Sequence, residues 1–240
     1  MRSVHSFALI ALLSCSFGVS SAMAVTLPVI ENFNSTNQNW KNSNIALTQD
    51  TTWISGGGPN GASDAFIEST FTTPVSGAAS ASQVLFRARN TVNSSGNVFF
   101  GNWIADGVQS VDFWIRQDSG SAINLGLRIP TSTGFPAMLG RFPTPIQPNV
   151  WTHVSMAINA TNPELLDETG PTHANFNSVF SNVTYLQIFA NLSGLPNSTT
   201  VHFDVDAFRL VPEPSTWVMA GCGGVSMLVT CVRRRMARRS

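Results

Sequence analysis

"VQSVDFWIRQDSGSAINLGLRI", residues 108 to 129, contains two runs in which apolar and polar side chains alternate. In the first, Val111, Phe113 and Ile115 fall on one side and Asp112, Trp114 and Arg116 on the other. In the second, Ile123, Leu125, Leu127 and Ile129 oppose Asn124 and Arg128. A period of two belongs to the extended chain, whose successive side chains point to opposite faces, so each run predicts a strand with one buried side. The residues between them, Asp118, Ser119, Gly120 and Ser121, are turn formers.

Short runs of the same kind extend in both directions. Strands are expected in "TLPVIENF" near 26 to 33, "DAFIESTF" at 64 to 71, "SQVLFRAR" at 82 to 89 and "NVFFGNWI" at 97 to 104. Further on they are expected in "VWTHVSMAIN" at 150 to 159, "VTYLQIFA" at 183 to 190 and "TVHFDVDAFRL" at 200 to 210. The run at 150 to 159 puts Val150, Thr152, Val154, Met156 and Ile158 on one face and Trp151 and His153 on the other. At 200 to 210 the parity slips: Val201, Phe203 and Val205 share a face, whereas Phe208 and Leu210 have the opposite parity, which predicts a bulge near Asp206 or Ala207. One or two helical turns fit "NFNSVFS" at 175 to 181. Many short strands with turn-rich separators and no long helical period predict an all-β domain over residues 25 to 210, an antiparallel sandwich or barrel.

The two ends of the 240-residue chain read as addresses. Residues 1 to 24 have a basic start at Arg2, an apolar stretch from Phe7 to Leu13 and the triplet Ala22-Met23-Ala24, which together describe a secretory signal peptide cleaved after Ala24. Cys15 lies in that segment and Cys222 and Cys231 lie near the other end, so the domain between has no cysteine and neither a disulfide nor a thiolate zinc site. Residues 25 to 210 carry 7 basic and 12 acidic side chains. That acidic balance, with a single lysine, excludes a nucleic-acid-binding domain.

At the C-terminus, residues 215 to 232 are uncharged, enough for a transmembrane helix near the lower length limit. Arg233, Arg234, Arg235, Arg238 and Arg239 follow, a stop-transfer cluster that favours the cytoplasmic side of an inner membrane. Pro212 and Pro214 flank Glu213 and mark a break between domain and span. The ordered set of Pro212-Glu213-Pro214, apolar run and arginine cluster, residues 211 to 240, resembles the PEP-CTERM sorting signal of Gram-negative bacteria. The resemblance implies that the motif is read by exosortase, a membrane enzyme that processes the protein near this site, in bacteria that make extracellular polysaccharide. The same features are open to a second reading, a permanent single-span anchor.

"IENFNSTNQNW", "VDFWIR", "WTHVSMAI" and "FDVDAFRL" resemble the jelly-roll β-sandwiches of carbohydrate-binding modules and lectin-like domains. On that likeness the outward residues Trp114, Arg116, Asn124, Arg128, Trp151, His153, Tyr185 and Gln187 are the candidate ligand face. Aromatic rings would stack on sugar and neighbouring donors would bond hydroxyls. The opposing reading is that loops pack over the tryptophans, or that the strands carrying them belong to different sheets. A structural Ca²⁺ site is also a feature of such sandwiches. Asp204 and Asp206, two apart on the last strand, with Glu31 on the first, are its candidate ligands, since Ca²⁺ takes six to eight oxygens.

No G-x-S-x-G, no H-E-x-x-H and no phosphate loop occurs; "SGGGPNG" at 55 to 61 lacks the Lys-Ser/Thr and reads as a loop. The expectation is therefore a non-enzymatic protein exported through the inner membrane to the cell surface or extracellular matrix, with a carbohydrate-binding sandwich and extracellular polysaccharide as a partner. The alternatives are a secreted polysaccharide hydrolase and a structural surface protein without a defined ligand.

Overall fold

A computed structural model describes residues 25–42, 49–74 and 83–212. The signal peptide, the apolar run at 215 to 232, the arginine cluster, Glu213 and Pro214 lie outside the described residues. Among the described residues no helix is long and apolar enough to cross a membrane.

Among the described residues twelve strands form two sheets: β1 (Val29–Glu31), β2 (Lys41–Asn42), β3 (Thr52–Ile54), β4 (Phe66–Thr72), β5 (Gln83–Arg89), β6 (Val108–Gln117), β7 (Asn124–Pro130), β8 (Ala137–Arg141), β9 (Thr152–Ala157), β10 (Leu165–Asp167), β11 (Tyr185–Asn191) and β12 (Thr200–Pro212). The first sheet runs β3-β4-β12-β6-β9 with β1 also on β12; the second runs β10-β8-β7-β11-β5-β2. Every named pairing is antiparallel. A short α-helix, α1 (Phe176–Phe180), interrupts the β structure where the sequence predicts it. The domain is thus an all-β antiparallel two-sheet sandwich.

Alternation explains how the sheets close on each other. Val111, Phe113 and Ile115 of β6 and Leu127 and Ile129 of β7 are fully buried, and β6 and β7 lie in opposite sheets, with the 118 to 123 turn carrying the chain across. Phe113, Phe208, Phe99 and Trp40 meet at centroid distances of 5.1 to 6.5 Å where they adjoin, mostly edge to face, the arrangement ring quadrupoles favour. The Trp40 Nε1–H, deep in this cluster, donates to Ser95 Oγ at 2.9 Å, so the buried indole leaves no unsatisfied donor.

The expected bulge occurs on β12. Register shifts between Asp206 and Arg209, and Ala207 takes a left-handed φ of 48°, after which Phe208 and Leu210 enter the core despite their changed parity. Two expectations need correction. Residues 97 to 104 form no strand, because Phe99 and Phe100 are adjacent and both buried, which an extended chain cannot achieve on one face; a 3₁₀ segment, Ser94–Asn97, and turns bring both inward. Val150 does not face the core and is 54% exposed, because β9 starts only at Thr152, after a left-handed Asn149. Pro212 closes β12, opposite Val108, so the strand extends two residues past the domain limit read from the sequence. Proline is tolerated there because it is the strand's last residue, beyond a second register shift.

Candidate functional site

The residues singled out as a ligand face divide between the two outer surfaces of the sandwich. Trp114, Arg116, Trp151 and His153 belong to the first sheet and its edge, and Arg128, Asn124, Tyr185 and Gln187 to the second. They cannot contact one ligand together.

On the first sheet the loop at 55 to 64 packs over the candidates. Trp151 Nε1 donates to Gly57 O at 3.0 Å, and the Trp151 ring meets Phe66 edge to face at 5.4 Å. The Arg116 guanidinium lies 4.7 Å from the Trp151 ring centroid and 5.2 Å from that of Phe66, while its Nε donates to Asp204 Oδ2 at 2.8 Å. His153 stands against Trp114 at 5.3 Å and beside Arg209, which itself donates to Asp112. These rings and charges are engaged with one another, as the covered-tryptophan alternative expects.

Of the three proposed calcium ligands, Asp206 has Glu31 as a neighbouring carboxylate, whereas Asp204 is engaged elsewhere. Asp204 is bound to Arg116, and burial still raises its pKa to about 6 against the opposing pull of that guanidinium. Asp206 is completely buried, and neither carboxylate oxygen has a hydrogen-bond partner. Burial first, and then the neighbouring carboxylates of Asp64 and Glu31, push its pKa up to about 7; the Ala207 amide pulls the other way but is not aligned as a hydrogen bond. Glu31 accepts from the Phe33 amide at 2.9 Å, and Asp64 accepts from the Asn60 amide at 2.8 Å, which ties the 55 to 64 loop down beside Asp206. Among the described residues no three His, Cys, Asp or Glu side chains stand close enough to hold a metal. The donor chemistry that suits a hard cation is therefore Asp206 with Asp64, an oxygen pair that needs either a proton or a positive ion between its members. Asp204 has no place in it.

The second sheet presents an open cleft. Three contiguous hollows of about 320, 350 and 380 Å³ cross its outer face. The central one is lined by Val84, Arg87, Arg128, Leu139, Arg141, Glu168, Gln187 and Phe189; it shares Arg141 and Phe189 with the second and Leu139, Arg141 and Glu168 with the third. Strand parity places most of these residues, a register shift opposite Ile188 and Phe189 brings Val84 out beside Phe189, and Glu168 follows the end of β10. Register pairs Arg87 with Gln187, Gln187 with Arg128 and Arg128 with Leu139, so a row of outward side chains crosses four strands, β5, β11, β7 and β8.

Arg128 organises the row. Its Nε and Nη2 donate to the two carboxylate oxygens of Glu168 at 2.9 and 2.6 Å, its Nη1 to Gln187 Oε1 at 2.9 Å, and its Nη2 also to Gly134 O at 2.8 Å. Gln187 in turn donates to Tyr185 Oη at 2.6 Å, and the Arg89 guanidinium covers the Tyr185 ring at 3.6 Å from its centroid. Tyr185 is thus a buried support of the cleft, not an exposed stacking platform. The apolar floor is Phe189. Its ring lies over Gly126, its cross-strand partner, where an added Cβ would sit 2.1 Å from Phe189 Cζ. Burial pushes the Arg87 guanidinium pKa down, and the like charges of Arg89 and Arg128 add to this, partly opposed by Tyr185.

Sequence reasoning places Asn124, Arg128, Tyr185 and Gln187 outward but does not single out Arg87, Leu139, Arg141, Glu168 or Phe189. For Arg87 and Phe189 a signal existed, since both sit in expected strands. Arg141 and Glu168 fall in and beyond short strands whose pairing is a tertiary fact.

No family model matches the chain, and no curated protein matches it. Solved structures resemble it over the sandwich. A family 11 carbohydrate-binding module from Clostridium thermocellum, in complex with a β-1,3-1,4-mixed-linked tetrasaccharide, shares 13% identity and a TM-score of 0.45 over 77% of this chain and 94% of that one. A family 30 carbohydrate-binding module of a cellulosomal cellulase of Clostridium thermocellum shares 12% identity and a TM-score of 0.47, over 79% of this chain and all of the other, at 100%. An exo-β-agarase shares 10% identity and a TM-score of 0.48, over 78% of this chain and 26% of that one.

Proposed function

We propose that the chain is a non-catalytic protein, exported by the signal at 1 to 24 and sorted by the tail at 211 to 240, whose sandwich binds polysaccharide at the cell surface or in the matrix. The observation that carries the reading is the cleft across β5, β11, β7 and β8. Sugar rings offer an apolar face and a rim of hydroxyls, so a site for them needs an apolar floor beside fixed donors and acceptors. Phe189, Leu139 and Val84 supply the first; Arg87, Arg128, Arg141, Gln187 and Glu168 supply the second. The row is rigid because Arg128 holds Glu168 and Gln187 in one hydrogen-bonded unit, which limits the ordering cost of binding. Three hollows in series suit a polymer better than a single sugar.

Affinity electrophoresis of the full-length protein through gels containing single polysaccharides, neutral and acidic, tests this. Retardation by at least one is the expected result, and equal mobility in all of them overturns the binding reading. Delivery is tested separately, in a host that carries the sorting enzyme. Mass spectrometry should find a mature C-terminus at or near Pro212, Glu213 and Pro214, and the triple replacement of these residues should leave the full-length form in the membrane. Mature wild-type protein intact to Ser240 leaves only the permanent anchor.

A further inference from the structure

We propose that the ligand of this cleft is an anionic polysaccharide, gripped by arginine through carboxylate or sulfate groups on its sugars; the proposal rests on the polysaccharide-binding reading and narrows it. The domain as a whole is acidic, with 12 carboxylates to 7 basic residues, yet its bases are not spread evenly. Arg87, Arg128 and Arg141 line one hollow of about 320 Å³ with a single carboxylate, Glu168, and both oxygens of Glu168 are taken by Arg128. Arg89 stands next to them on the same strand as Arg87, over the Tyr185 ring. Lys41, on neighbouring β2, is tied to Asp50.

Guanidinium groups gathered at such density repel one another, and those of Arg89 and Arg128 do act against the charge on Arg87. An anion seated among them relieves that repulsion, and a planar oxyanion accepts two parallel N–H bonds from each fork. A neutral sugar would displace water from these groups without supplying the opposite charge, so its hydroxyls would have to replace strong hydration with ordinary hydrogen bonds. Arg87, Arg128 and Arg141 gather in the central hollow, whereas Glu164 and Asp167 line the flanking ones and Arg116 and Arg209 pair with aspartates on the other sheet; so local a positive spot disfavours the dense, continuous phosphate charge of a nucleic acid.

The test compares matched pairs on the full-length protein by isothermal titration calorimetry: polygalacturonate against its carboxyl-reduced derivative, and dextran sulfate against dextran, with single-stranded DNA as a polyanion without sugar acids. One anionic member at least should bind about ten-fold tighter than its neutral partner. The carboxylated pair and the sulfated pair then identify which group is read. The preference should shrink between about 0.1 M and about 1 M salt, over which the screening length falls from about 10 Å to about 3 Å. Arg141→Gln, at an exposed position, should reduce the preference with the melting temperature unchanged, and Arg87→Gln should reduce it further. Equal affinity for anionic and neutral partners overturns the anionic proposal and leaves the polysaccharide reading standing. Binding to none of the four polysaccharides overturns both. DNA binding as tight as that of the preferred glycan also overturns it, in favour of unspecific polyanion attraction.

Discussion

Asp206→Asn is expected to stabilise the protein at pH 8 in the presence of a chelator by up to about 4 kcal/mol, an effect that should vanish near pH 4. The folded pKa of Asp206 is about 7, against about 3.9 for an unfolded aspartate. The folded chain therefore holds this proton more tightly than the unfolded chain. Stability from the group is complete below about pH 4 and falls as the pH rises towards 7, because an ionised, fully buried carboxylate then faces Asp64 without a donor. Asparagine does not titrate and removes the loss. Asp204, raised in the same direction, contributes to both proteins alike, so the wild-type-minus-variant difference isolates Asp206. Calcium gives the experiment its second arm. A cation between Asp206 and Asp64 would raise the wild-type melting temperature over that in chelator, as any ligand of the native state does, and would make Asp206→Asn destabilising instead. Thermal melts from pH 4 to pH 8 in chelator and in calcium decide between these states. A difference flat with pH removes the buried-carboxylate account, and melting identical in calcium and chelator removes the ion.

Gly126→Ala is expected to weaken polysaccharide binding by about thirty-fold or more, the loss associated with a central aromatic contact worth about 2 kcal/mol. The new Cβ would stand 2.1 Å from Phe189 Cζ and 2.7 Å from Gly140 O, so the ring must lift off the sheet into the cleft. Overpacking of this kind also costs about 1–3 kcal/mol of stability. Two further variants separate binding from folding. Phe189→Ala should lose the same affinity while keeping the Arg128 network, and Gly126→Ala with Phe189→Ala should recover stability without recovering affinity. Denaturant melts alongside affinity electrophoresis measure both quantities. Unchanged affinity in Phe189→Ala would falsify the role of its ring as the floor.

The strands that alternate cleanly, β6 and β7, are legible in sequence because one buried face imposes a period of two. The slip at Asp206 and Ala207 is legible for the same reason, since two sets of core residues, Val201 to Val205 and Phe208 to Leu210, demand opposite parities. What parity cannot carry is the identity of the neighbouring strand. Trp114 and Arg128 both point outward, yet their strands lie in opposite sheets, so one grouping by outward direction joins residues on opposite sides of the molecule. The partnership of Asp206 with Asp64 was hidden likewise. It depends on a glycine-rich loop folding back over the sheet, where Gly58 leaves room for the Asp64 carboxylate, 2.6 Å from where a Cβ would be. Asp204, nearer in sequence, is claimed by Arg116 across the β6–β12 register.

The end of β12 sets the length of a leash. Pro212 is still held opposite Val108, and Leu210 opposite Val29, so an anchor beginning at Ser215 leaves two residues free, at most about 7 Å of extended chain. On the proposed anchor reading, the pole of the sandwich bearing the starts of β6 and β1 would be held close to the bilayer, and the cleft, on a side face, would open along the membrane rather than away from it. A glycan bound there while the anchor was in place would lie along the cell. On the proposed sorting reading, an enzyme recognising Pro212-Glu213-Pro214 would have equally little slack and would have to fray the last rung of the sheet before the motif could enter its own site.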